Sequence, residues 1–330
     1  MTGDRKLKVI TKSSEYLIPI RNKYTLLAGD SATGKTAIRD FVREILNTPS
    51  TEEEDNYIES DFESIHVAMN ETSLLFSIQQ INSLVIIDED MISLLKRNLQ
   101  KVRESNNFYL IITRELDINL PYGIKDVLVL ETNVREGLYV TVGVPFIKFE
   151  ESKVNIDLCI TEDSKSGYKF FEYTLNVECV SAKGKTRIPK LVKRLLKDSK
   201  TASKNILFIV DEVGFGHEYM VIYKAYSEYL LERVYFWCPY SFEYVLLNSN
   251  MFTGIRDIIL NPYSVCDFDM YRTVEVFIEN VLKRELLNSL QIKYRKGDDI
   301  TCYFREYIKS IFENNFDNYK DLVKDFVREI

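Results

Sequence analysis

Residues Gly29 to Thr36 read Gly-Asp-Ser-Ala-Thr-Gly-Lys-Thr, and the apolar run Tyr24-Thr25-Leu26-Leu27-Ala28 leads directly into them. This segment constrains the chain more than any other, because its chemistry works only between a buried strand and the start of a helix. Gly29 and Gly34 let the backbone curl until successive N–H groups point inward at one anion. Asp30, Ser31, Ala32 and Thr33 form the body of that cradle. Lys35 adds a point charge, Thr36 offers a hydroxyl to Mg²⁺, and the helix predicted over Ala37 to Leu46 presents its positive end. The anion that fits is the β-phosphate of a nucleotide, so ATP and Mg²⁺ are the expected ligands.

A triphosphate site also needs an acidic strand tip close by. Past an acidic loop, Ser50 to Asp55, the periodicity predicts a strand over Ser64 to Met69 and a helix over Glu71 to Ile81. Ser83-Leu84-Val85-Ile86-Ile87 is then apolar on both faces, as in a parallel sheet, and ends in Asp88-Glu89. Asp88 is expected to hold Mg²⁺ through water and Glu89 to orient or deprotonate the attacking water. A helix over Met91 to Arg103 leads to the strand Asn107 to Ile112, which ends in Thr113-Arg114. Thr113 is positioned to sense the γ-phosphate. Arg114 either reaches phosphate or a carboxylate bidentately, or simply leaves the strand for solvent. Asp126 to Glu131 supplies a fifth strand, which makes residues 1–150 an α/β, doubly wound domain.

A chain of 330 residues, 45% hydrophobic and 28% charged, has material for two cores. Its start, Met1-Thr2-Gly3-Asp4-Arg5-Lys6, is polar, and no apolar run approaches the roughly 18 residues that span a bilayer. The expectation is a cytoplasmic protein with no membrane segment. Cys159, Cys179, Cys238, Cys266 and Cys302 are scattered and lack C-x-x-C spacing, so reduced core thiols are expected rather than disulfides or zinc. A formal charge of −7 argues against a nucleic-acid surface spread over the whole molecule.

A second α/β cycle occupies residues 151–265, followed by a helical segment, 266–330. Ile156 to Thr161 reads as a strand ending in Glu162-Asp163, and Gly167 opens a helix. Val177 to Val180 and Val234 to Trp237 are further strands, and Ile206 to Val210 ends in Asp211-Glu212. Carboxylates at neighbouring parallel strand tips converge, so Glu162 and Asp211 are candidate Mg²⁺ ligands, with Glu212 or Glu243 as a third. The alternative is that each acid caps a helix N-terminus independently. Between Lys183 and Lys204 lie nine Lys and Arg residues and one acid, Asp198. They either track a nucleic-acid backbone or form the solvated face of a helix whose apolar side is Ile188, Leu191, Val192, Leu195 and Leu196. His66 falls in a strand, where a core role is expected. His217 starts a helix at a strand tip.

Residues 20–132 resemble P-loop NTPases of the additional-strand catalytic-glutamate division, with Gly29–Thr36 as the Walker A loop. Within that division, which includes AAA-type and STAND ATPases, Leu110-Ile111-Ile112-Thr113-Arg114 looks most like the strand ending in Thr-x-Arg or Thr-Arg that STAND-type domains carry. The second domain resembles a Toprim fold in three features: Glu162 after its first strand, the turn Ala182-Lys183-Gly184-Lys185, and Asp211 after its third strand. It departs from that pattern at Val213, where the family carries a second aspartate. The domain order is similar to that of OLD-family ATPase-nucleases. The resemblance implies an ATPase whose Mg²⁺-dependent hydrolysis regulates a Toprim-like domain that binds or cleaves nucleic acid. The competing expectation is a nucleotide-switched protein-interaction module, self-associating or binding a protein partner, with an inactive second domain.

Overall fold

The computed structural model describes residues 5–29, 34–48, 56–147, 155–230, 232–267, 270–271 and 273–315. Asp30 to Thr33 of the glycine-rich loop and the acidic loop Ser50 to Asp55 therefore lie outside the described residues. The chain forms two compact units, Thr2–Lys148 and Phe149–Ile330.

The first unit is built on one nine-stranded sheet, in the order β4-β1-β2-β9-β8-β3-β7-β6-β5. Its strands are β1 (Arg5–Ile10), β2 (Ser14–Ile20), β3 (Tyr24–Leu27), β4 (Tyr57–Ser60), β5 (Ile65–Ala68), β6 (Leu84–Ile87), β7 (Phe108–Ile112), β8 (Val127–Arg135) and β9 (Leu138–Pro145). Helices α1 (Lys35–Asn47), α2 (Glu71–Ile78), α3 (Ile92–Arg97) and α4 (Leu99–Glu104) connect them. The parallel core β8-β3-β7-β6-β5 follows from the apolar runs: β3, β6 and β7 are buried at every position. Leu27, Ile38, Val42, Ile86 and Leu110 meet in one apolar cluster beneath α1.

The sheet is mixed, which corrects the expectation of a parallel, doubly wound domain. β1 pairs antiparallel with β2 and β4, and β8 with β9. In β1, Arg-Lys-Leu-Lys-Val-Ile, buried positions alternate with more exposed ones, so its lysines mask it in the sequence. The β8–β9 turn uses left-handed backbone at Glu136 and Gly137 (φ 51° and 85°), which suits the twist of a two-residue hairpin. The helix expected over Met91 to Arg103 is interrupted at Asn98. There the side-chain amide donates to the Leu94 carbonyl at 3.1 Å and α4 starts afresh.

In the second unit, β10 (Leu158–Thr161), β11 (Glu178–Ser181), β12 (Ile206–Ile209) and β13 (Val234–Trp237) form a wholly parallel sheet, ordered β11-β10-β12-β13. The crossovers are α5 (Ser166–Thr174), α6 (Ile188–Lys197) and α7 (Gly216–Tyr226). Helices α8 (Phe242–Leu247), α9 (Arg256–Leu260), α10 (Pro262–Val265), α11 (Val274–Leu290) and α12 (Ile308–Asn315) complete it. Phe170, Phe171, Trp237, Phe277, Phe304 and Phe312 share one core, so the helices past Asp267 pack with this sheet. No helix among the described residues is long and apolar enough to cross a membrane.

Candidate functional site

The carboxyl ends of β3, β7 and β6 lie side by side. Leu27 pairs with Ile112, and Ile87 with Ile111, so the residues that follow each strand emerge along one edge. Gly29 and Gly34 flank the loop with φ of 126° and 86°, backbone that a side chain would strain. Lys35 is 7% exposed and its ammonium donates to the Gly29 carbonyl at 2.7 Å, tying the two ends of the loop together. Among the described residues, the first turn of α1 has no side-chain cap and no acidic residue, so none of them competes with an anion for its N–H groups. Thr36 is exposed beside Lys35. These residues fit a triphosphate with its cation.

At the tip of β6, Asp88 is 9% exposed and one of its oxygens accepts the Glu89 N–H at 2.8 Å. The other is bound by the guanidinium of Arg39, one helical turn beyond Lys35. Glu89 stands more open and pairs with Arg114 at 3.3 Å, so the tips of β6 and β7 are bridged. Thr113 is fully buried, and its hydroxyl exchanges hydrogen bonds with the Glu115 backbone, accepting at 2.8 Å and donating at 3.2 Å. To reach a phosphate it would have to give up that turn.

In the second unit, Glu162, Asp211, Glu243, Glu275, Lys185 and Lys296 line a cavity of about 270 Å³ at the carboxyl edge of the sheet. Glu162 accepts the Asp211 N–H at 3.2 Å. Burial pushes its carboxyl up to about 7, against the opposing pull of that N–H and of Lys185. Burial also raises Asp211 well above the carboxylate range, reinforced by the charges of Glu162 and Glu243. Glu243 is 2% exposed; one oxygen accepts from the Tyr294 hydroxyl at 2.9 Å and the other has no hydrogen-bond partner. Lys296 pairs with Glu275 at 2.6 Å. Burial works to lower the Lys296 ammonium, but the Glu243 and Glu275 carboxylates outweigh it and hold the ammonium above its ordinary value. Glu212, expected beside Asp211 as a ligand, is buried and is not part of the cavity wall. The cap of α5 comes from Asp163, whose carboxylate accepts the N–H groups of Gly167 and Tyr168 at 3.2 and 2.8 Å.

Among the described residues, no three acidic, histidine or cysteine side chains gather as a ready metal-ligand set. The cavity as it stands is a charge cluster, with three lysines (Lys165, Lys185 and Lys296) set against five carboxylates. No protein-family model and no curated protein matches this chain. Its reading therefore rests on which residues the fold brings together. Both pairs at the strand tips of the first unit, Asp88-Glu89 and Thr113-Arg114, leave the same sheet edge as the glycine-rich loop, with the Thr113 N–H donating to the Leu27 carbonyl and Asp88 tied to Arg39 of α1. Arg39, Glu275 and Lys296 are missed by sequence reasoning. Arg39 carries a signal, since i and i+4 positions share a helix face with Lys35. Glu275 and Lys296 carry none, because both reach the cavity from segments far along the chain. His66 is half-buried, its ring bonded to the Ser64 hydroxyl at 2.9 Å, and burial lowers its pKa. On α6, Ile188, Val192 and Leu195 are buried while Lys190, Lys193, Arg194 and Lys197 are exposed.

Proposed function

We propose that the first unit binds ATP with Mg²⁺ and hydrolyses it. The observation that carries this reading is that β7 lies between β3 and β6 in the sheet, with its tip bridged to Glu89. That order sets a lysine, two carboxylates and an arginine on one edge, around an uncapped helix start. The bound Mg²⁺-triphosphate would supply the electrophilic phosphorus and neutralise its leaving oxygens. Lys35 would hold the phosphates by charge, and Thr36 and Asp88 would orient the cation's shell. Glu89 would align the attacking water and take its proton. The decisive measurement is phosphate release from ATP by the purified protein, with and without DNA, RNA and Mg²⁺. No release under any of these conditions, together with no ATP binding, would remove the reading.

A second reading concerns the other unit: its cavity takes a divalent cation and acts on, or merely binds, the phosphodiester of a nucleic acid. It is favoured by the shared cavity of Glu162, Asp211 and Glu243 and by the unpartnered Glu243 oxygen. The exposed basic face of α6 would carry the polyanion, and Lys185 both precedes that helix and lines the cavity. The absence of a preformed ligand set among the described residues weighs toward the binding form, in which ATP switches a non-cleaving module. Titrating Mn²⁺ into wild type and Glu162→Gln tests the cation site, since a cation site loses affinity in the variant and a charge cluster shows no saturable binding in either.

A further inference from the structure

We propose that Arg39 is a built-in counter-cation for Asp88, which stands in for Mg²⁺ in the nucleotide-free protein and must be displaced when the metal arrives. The proposal rests on the nucleotide reading of the first unit and adds to it a regulation of its metal dependence. Arg39 donates to the outer oxygen of Asp88 through one terminal nitrogen. Its remaining nitrogens are held by Asp40, at 2.9 Å from Nε and 2.7 Å from the other terminal nitrogen. The fork is thus fixed on both sides, and the Arg39 side chain is only 18% exposed, that of Asp88 12%. A guanidinium so held neutralises the carboxylate at the place where a cation's hydration shell would otherwise sit.

Two consequences follow from charge alone. Without metal, Arg39 cancels the repulsion that Asp88 would exert on an incoming triphosphate, so metal-free nucleotide binds better than it otherwise would. With metal, the ion pair must first break, and that work is subtracted from the affinity. Both effects lower the ratio of nucleotide affinity with Mg²⁺ to that without it. Arg39 is therefore a positioning residue that sets how strongly nucleotide binding depends on the metal, with no contact to the reacting atoms.

The test is titration of a fluorescent ADP analogue into the full chain, in excess Mg²⁺ and in EDTA. Arg39→Gln is expected to raise the affinity ratio by about tenfold, the low end for a close charge pair. Asp40→Asn, which loosens the fork but leaves both site residues intact, is expected to raise it by a smaller factor. Arg39→Lys keeps the charge but cannot form the fork with Asp40, and is expected to raise the ratio by less than Arg39→Gln. It also serves as the informative variant if glutamine at this position prevents folding, which a melting curve will report. An unchanged ratio in both Arg39→Gln and Asp40→Asn, or Arg39→Lys behaving like Arg39→Gln, would overturn the counter-cation role while leaving the nucleotide site intact. Absence of binding by wild type in either buffer would remove the site itself.

Discussion

Single residues carry the first site, and two of them are separable by experiment. Lys35→Ala removes an ammonium that holds the Gly29 carbonyl, at the first position of α1 and outside the apolar cluster beneath that helix. Nucleotide affinity is expected to fall by at least about tenfold, the scale of a charge-assisted hydrogen bond, while the melting temperature barely moves. A fluorescent-nucleotide titration beside a thermal melt checks both halves. Glu89→Gln is expected to leave binding in place and slow hydrolysis by at least roughly 100-fold, the usual loss with a positioned general base. Turnover near wild type in that variant would reduce Asp88-Glu89 to the end of a strand. The glycine-rich motif was legible from residue types because its chemistry is local. The ion pairs Arg39–Asp88 and Arg114–Glu89 were not, since each joins side chains from different elements.

At the scale of elements, period and composition identified the buried strands β3, β6, β7, β10, β12 and β13, whose runs are apolar on both faces. They did not identify β1, where lysines alternate with the apolar positions, or the antiparallel partner β2. Nor did they find the break at Asn98, where the backbone leaves the helical region (φ −107°, ψ 16°) inside an otherwise helical pattern. Helix α6 offers an element-scale test. If its exposed face tracks a polyanion, replacing Lys190, Lys193 and Lys197 by Gln weakens DNA or RNA binding. The same change should flatten the dependence of log affinity on log salt by up to roughly three, near one unit per lost phosphate contact. A slope identical to wild type would mean that these lysines only face water.

The acidic cavity makes a prediction for the whole molecule, through its stability. Burial disfavours the charge of the Glu162 carboxyl and pushes it up to about 7 in the folded protein, against an ordinary 4.5. Between those values the folded state holds more protons than the unfolded chain, so stability falls as pH rises through this window and levels off above it. Glu162→Gln stays neutral throughout. In metal-free buffer it is expected to melt higher than wild type at about pH 8 and to lose that advantage by about pH 4. An equal gain at both ends would point to packing rather than charge. By itself the sequence determined the glycine-rich motif between a strand and a helix, the α/β alternation and the acidic ends of the buried strands, because these depend on neighbours along the chain. Only the tertiary structure decided that β7 lies between β3 and β6, that the first sheet is mixed, and that Glu243, Glu275 and Lys296 close on Asp211. Strand order and charge pairing are set by contacts between distant segments, and no local pattern of residues encodes which of them meet.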